Sequence, residues 1–173
     1  MTPECLKELY NVHYEADPTN GNKIGYVSYS PQSARYSDLE LFQSMYANYS
    51  TGQNFTIVEF NGGVDDQSNS VSFEANLDNQ YVLSISYPTP VTEFSSGPVC
   101  IFLHFGTSYV YWQNIANKQT ETTQDQNLAL LLGLKKLPND QLPQTISISY
   151  GWNEQVSLGL SILQWFYTFA HMI

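Results

Sequence analysis

The sequence predicts an α/β fold, a mostly parallel sheet flanked by helices. Two observations carry it. Short aliphatic and aromatic runs alternate along the chain with segments whose apolar residues recur at helical spacing, and turn-forming Gly, Pro and Asn punctuate the boundaries. Thr2 and Pro3 signal a helix start, cap then first helical position, with Leu6, Leu9 and Tyr10 as its apolar face. Residues 23–29 (KIGYVSY) read as a strand. Ser37 and Glu40 form a capping-box pattern ahead of Leu39, Phe42, Met45, Tyr46 and Tyr49 at helical spacing. Residues 55–60 (FTIVEF) read as a second strand, stopped by Asn61-Gly62-Gly63. A third helix is predicted over 73–85, with Phe73, Leu77 and Tyr81 as its apolar stripe, ended by Pro88 and Pro90. Residues 91–94 offer a short strand, 128–134 a helix, and 145–150 (TISISY) a buried strand. Such alternation implies right-handed crossovers.

With 173 residues and 42% hydrophobic content, the chain is long and apolar enough for one folded domain. Six Lys plus Arg against sixteen Asp plus Glu give a formal net charge of −10. That charge repels phosphate backbones and anionic bilayers, so no nucleic-acid partner is expected and a membrane role is disfavoured. It suits plain solubility, and equally a protein working at acid pH. Cys5 and Cys100 have no metal-ligand spacing, and their pairing is left open. Asn48-Tyr49-Ser50 and Asn54-Phe55-Thr56 are glycosylation sequons. The first residues show no basic region followed by an apolar stretch, so no signal peptide is read there. Two stretches resist the α/β pattern: 99–111 is apolar and aromatic without clear periodicity, and 156–173 carries no Asp, Glu, Lys or Arg.

Chemistry concentrates on the third helix. Glu74 and Asp78 lie four apart and share one face, each one position after the stripe residues Phe73 and Leu77. Taken alone, such a pair is an ordinary solvated face. Held at the edge of the buried side, two carboxylates share a proton, and one can serve as a general base at about pH 4 to 5.

Five blocks in order resemble the sedolisin family, the serine-carboxyl peptidases that include fungal tripeptidyl peptidases. They are Thr2-Pro3-Glu4-Cys5-Leu6-Lys7-Glu8-Leu9-Tyr10-Asn11-Val12; Ile24-Gly25-Tyr26 with Tyr29-Ser30-Pro31-Gln32; Ser37-Asp38-Leu39 with Phe42, followed by Asn61-Gly62-Gly63; Glu74-Ala75-Asn76-Leu77-Asp78-Asn79-Gln80-Tyr81, similar to the family's E-x-x-x-D-x-x-Y helix; and Ser147-Ile148-Ser149-Tyr150-Gly151 with Glu154. The match covers residues 2–97 and 137–155. It implies a subtilisin-like fold, present here incompletely, in which Glu74 takes the proton of a nucleophilic serine and Asp78 holds Glu74. It further implies that Ser149, Tyr150 and Gly151 form the edge that pairs with a peptide substrate. A secreted or vacuolar/lysosomal location follows from the same resemblance.

Departures from the family pattern bound these expectations. The G-T-S-A-type nucleophile motif, the oxyanion-stabilising aspartate and the C-terminal calcium ligands are not found, so the chain as given is expected to be an inactive fragment that binds no cofactor, calcium belonging to the full-length family. Gly106-Thr107-Ser108 precedes the substrate strand and is not assigned the nucleophile's role. Residues 1–155 are read as the N-terminal part of the catalytic domain, with an unmatched segment at 98–124 and an aberrant apolar tail at 156–173. An unspliced intron or a frame slip would account for both. A sheet left with an open edge is expected to aggregate or partly unfold in isolation. The competing readings are a non-catalytic peptide-binding module and a tail-anchored membrane protein.

Overall fold

The computed structural model describes residues 1–17, 19–68, 72–97, 102–105, 108–111 and 122–150. Its centre is a four-stranded sheet of β1 (Ile24–Tyr29), β2 (Phe55–Phe60), β3 (Val91–Ser96) and β6 (Thr145–Ser147), in the order β2-β3-β1-β6 with every pairing parallel. Between the strands run α2 (Tyr36–Tyr46), α3 (Phe73–Ser86) and α4 (Thr122–Leu134), with α1 (Pro3–Leu9) ahead of them. The expected α/β architecture is the one observed.

Parallel strands covered on both faces put alternate residues into two separate cores. On one face Tyr26, Phe55 and Val91 pack with Ala34, Leu39, Ala75 and Leu83. On the other, Val27, Tyr29 and Phe94 pack with Leu130 and Leu134 of α4. Helix α3 lies against β1, α2 and α1, while α4 lies against β2 and β3. Gly133 permits that second approach, since a Cβ there would stand 2.6 Å from the Phe60 ring.

Local signals held at several ends. Thr2 caps α1 by accepting the N–H of Cys5 at 3.2 Å, with Pro3 in the first turn. Strand β2 stops at Asn61 and Gly62, with φ of 49° and 77°, the left-handed region that Gly and Asn tolerate.

Other expectations are corrected. The Ser37/Glu40 capping box does not form: α2 begins at Tyr36, and the side chain of Gln67 accepts the Tyr36 N–H at 3.1 Å. Two of the three stripe residues predicted for α3 face outward, Phe73 84% and Leu77 50% exposed, and Tyr81 is half-buried against Phe42 of α2, while Ala75, Asp78, Asn79, Leu83 and Ser84 turn inward. The 145–150 run is not one buried strand. The chain leaves the sheet after Ser147, and β6 pairs only with β1 at the margin of the described sheet. Part of the 99–111 stretch forms an antiparallel hairpin, β4 (Phe102–Phe105) with β5 (Ser108–Tyr111). Ser108 therefore opens β5 opposite Phe105, while Gly106 and Thr107 lie outside the described residues. Residues 156–173 and Cys100 lie outside them as well, and Cys5 is exposed on α1. Among the described residues no helix is long and apolar enough to cross a membrane.

Candidate active site

Helix α3 enters beside the carboxyl end of β1, and its first turn is held from outside the helix. Ser72 makes no side-chain cap. Instead Gln32, from the loop that follows β1, turns its Oε1 onto the N–H groups of Glu74 at 2.8 Å and Ala75 at 3.3 Å. This satisfies two of the four donors that a helix start leaves open. It also fixes the backbone from which the half-buried Glu74 side chain projects.

One turn later Asp78 points into the protein and is 8% exposed. The hydroxyl of Ser149 donates to its Oδ1 at 2.7 Å, joining α3 to the segment that leaves β6. Its Oδ2 is buried and has no hydrogen-bond partner among the described residues. Burial pushes the Asp78 carboxyl above the usual aspartate range. The Ser149 hydrogen bond opposes that shift, and the neighbouring charge of Glu74 adds to it. The charge of Glu74 thus reaches Asp78 from one turn away.

Tyr150 packs its ring on Tyr29, centroids 4.6 Å apart and planes tilted by 59°, and its hydroxyl oxygen accepts the Tyr29 N–H at 3.5 Å. Burial pushes the Tyr150 phenol up to about 12, with smaller contributions from the charges of Asp78, Glu74 and Glu93. Ser149 and Tyr150 thus stand beside the carboxylate pair, while Gly151 lies outside the described residues.

Sequence reasoning missed a polar layer beneath α3. Glu93 of β3 is 0% exposed and accepts from the Tyr26 hydroxyl at 3.1 Å, the Ser28 hydroxyl and the Ala34 N–H at 3.2 Å. Asn79 donates to the Tyr26 hydroxyl oxygen at 2.7 Å. A signal was available: a charged residue in the middle of a strand that alternating helices should cover on both faces has nowhere to go but inward. Burial pushes the Glu93 carboxyl above its ordinary value, against the pull of its three donors.

The pH dependence of stability follows from these two acids. Both have folded-state pKa values raised above their unfolded values. The stability tied to their protonated forms is complete below about pH 4 and is lost as pH rises through the raised values. Melting temperature should therefore fall from acid toward neutral pH, each group contributing a slope of at most about 1.4 kcal/mol per pH unit. Asp78→Asn and Glu93→Gln should each flatten the profile. Parallel melting curves of wild type and both variants across that range would refute the assignment.

Among the described residues no cluster of three or more His, Cys, Asp or Glu could hold a metal ion.

No protein-family model matches the chain. Individual relatives do. It is 35% identical over 162 residues to tripeptidyl-peptidase sed4 of Aspergillus fumigatus, covering 90% of this chain and 25% of that protein. It is 35% identical over 159 residues to the probable tripeptidyl-peptidase SED3 of Arthroderma benhamiae, and 34% identical over 160 residues to the probable tripeptidyl-peptidase SED2 of Trichophyton verrucosum, with the same coverage. The chain spans about a quarter of the length of the relatives it matches. With the parallel α/β sheet already described, these matches over nine-tenths of its residues establish that the chain belongs to the sedolisin family of peptidases.

Proposed function

We propose that this chain supplies the carboxylate side of a serine-carboxyl peptidase site that cleaves peptides or proteins at acid pH. Glu74 is the general base and Asp78 the residue that orients it. Glu74 takes the proton of a serine hydroxyl, the oxygen attacks the substrate carbonyl, and Glu74 returns the proton to the leaving amine. A carboxylate base suits acid conditions in which histidine would already be protonated. The segment through Ser149, Tyr150 and Gly151 lies along the substrate, its backbone offered for strand pairing. The nucleophile and the oxyanion donor are not assigned to any of these residues, so on this reading the 173 residues alone do not hydrolyse peptides.

One observation carries the proposal: a buried Asp78, hydrogen-bonded through one oxygen to Ser149 and, among the described residues, unpartnered at the other, in the turn after Glu74. An open, desolvated oxygen can receive a proton shared with Glu74. The working location is a secreted or vacuolar/lysosomal compartment, and the sequon residues Asn48 and Asn54 are both exposed.

The test is an assay of the full-length protein against peptides across the pH range. Cleavage with an optimum at about pH 4 to 5 is expected. Saturable peptide binding without cleavage at any pH would remove the catalytic reading and leave a peptide-binding module.

A further inference from the structure

Two separate chains of contacts run from Glu93 toward α3, one ending at the side chain of the residue after Asp78 and one in the loop that holds the Glu74 backbone. In the first, Glu93 Oε2 accepts the Tyr26 hydroxyl, and the oxygen of that hydroxyl accepts Asn79 Nδ2. Asn79 is the residue next to Asp78. In the second, Glu93 Oε1 accepts the Ala34 N–H and the Ser28 hydroxyl. Ala34 closes the short loop whose Gln32 holds the N–H groups of Glu74 and Ala75. Register explains the meeting: Tyr26 of β1 and Glu93 of β3 are direct cross-strand partners, so both side chains emerge on the face that α3 covers.

We propose that Glu93 is a positioning residue for the catalytic pair, holding Asp78 through the Tyr26–Asn79 chain and Glu74 through the Gln32 loop. This rests on the functional reading of Glu74 and Asp78 given above. Glu93 itself touches no substrate. Its influence comes from being a buried acid within a connected polar network, where a change of charge is felt by every member.

The groups around Glu93 sharpen the expectation. From β1 come Tyr26 and Ser28, from the following loop Ala34 N–H, and from the turn after β2 the carboxylate of Asp65. Tyr36 of α2 and Tyr150 beyond β6 respond to its charge, and Asp78 of α3 acts on the same Tyr26. Among the described residues none of the groups acting on Glu93 is cationic. Burial favours the neutral acid while its three donors favour the carboxylate, and when a proton sits on Oε2 the bond to Tyr26 reverses direction. Loss of that proton, as pH rises, reorients the chain that ends beside Asp78.

The experiment follows the carboxyl carbons of Glu74 and Asp78 by NMR as the full-length protein is titrated, in wild type, Glu93→Gln and Tyr26→Phe. Hydrolysis by the full-length protein is profiled against pH in parallel. In wild type both resonances should carry a second inflection where Glu93 ionises. Glu93→Gln, which fixes the neutral form, should abolish that inflection and move the upper limb of the activity profile by about one pH unit or more. Tyr26→Phe should remove the second inflection from Asp78 and leave it in Glu74, because only one chain is cut. Titration curves of both variants superimposable on wild type would overturn the proposal. If Glu93→Gln does not fold, Tyr26→Phe decides by the same criterion. Titrations that shift as expected, beside hydrolysis indifferent to Glu74→Gln, would refute the peptidase reading while the positioning role stands. Unmoved titrations with Glu74-dependent hydrolysis would do the reverse.

Discussion

Glu74→Gln lowers peptide hydrolysis by the full-length protein by about 10²- to 10⁴-fold, the usual contribution of a positioned general base. An amide has nearly the carboxylate's shape but cannot accept a proton from a serine hydroxyl. The substitution leaves the surrounding architecture intact, since Gln32 holds position 74 by its backbone N–H and not by its side chain. The loss should therefore fall on kcat, with KM little changed, the pattern of an interaction made only in the transition state. Asp78→Asn tests the second role. Asparagine keeps an acceptor for Ser149 but cannot share a proton with Glu74. If both residues act as one unit, the double variant should be scarcely worse than Glu74→Gln alone. Activity of Glu74→Gln within a few-fold of wild type would dismiss Glu74 as the base.

The strands and helices were legible because their signals are local. Thr2-Pro3 marks a start, Asn61-Gly62 marks a stop, and each holds whatever surrounds it. The inward face of α3 was not legible. Phe73, Leu77 and Tyr81 are its largest apolar residues at helical spacing, yet Phe73 and Leu77 are exposed and the buried face is largely small and polar. What makes Asp78 and Asn79 tolerable inside is Ser149 and Tyr26, donors and acceptors from segments far away in sequence. The same holds for helix starts: Ser37 offered a cap at α2, but Gln67 occupies the role, and Gln32 does so at α3. Spacing locates the two carboxylates on one turn. It does not reveal the polar layer that carries them, because that layer exists only once β1 and β3 are paired.

Phe94→Ala should lower the unfolding free energy by about 3 to 5 kcal/mol, the range for deleting a fully buried phenyl ring. A domain of this size has about 5 to 15 kcal/mol in all, so the variant loses a large share of its stability. Phe94 is 0% exposed on β3, stacked on Phe60 with planes 1° apart and centroids at 5.8 Å. Opposite stands Gly25, where a Cβ would lie 2.5 Å from the Phe94 ring, so the backbone of β1 is moulded to that phenyl. Neither a rigid strand backbone nor α4, pressed against Phe60 at Gly133, is free to fill the space left behind. Phe94→Leu should cost less than Phe94→Ala. Urea midpoints for the series, at constant m-value, measure the effect, and an alanine variant within about 1 kcal/mol of wild type would contradict the packing argument. The cavity should also reach the site. Ile146 and Tyr150 pack against the same core, so loosening it frees the segment that carries Ser149. The Ser149 hydrogen bond holds the Asp78 pKa down against burial. Weakening it should raise the Asp78 titration midpoint in Phe94→Ala at temperatures where the variant is still folded.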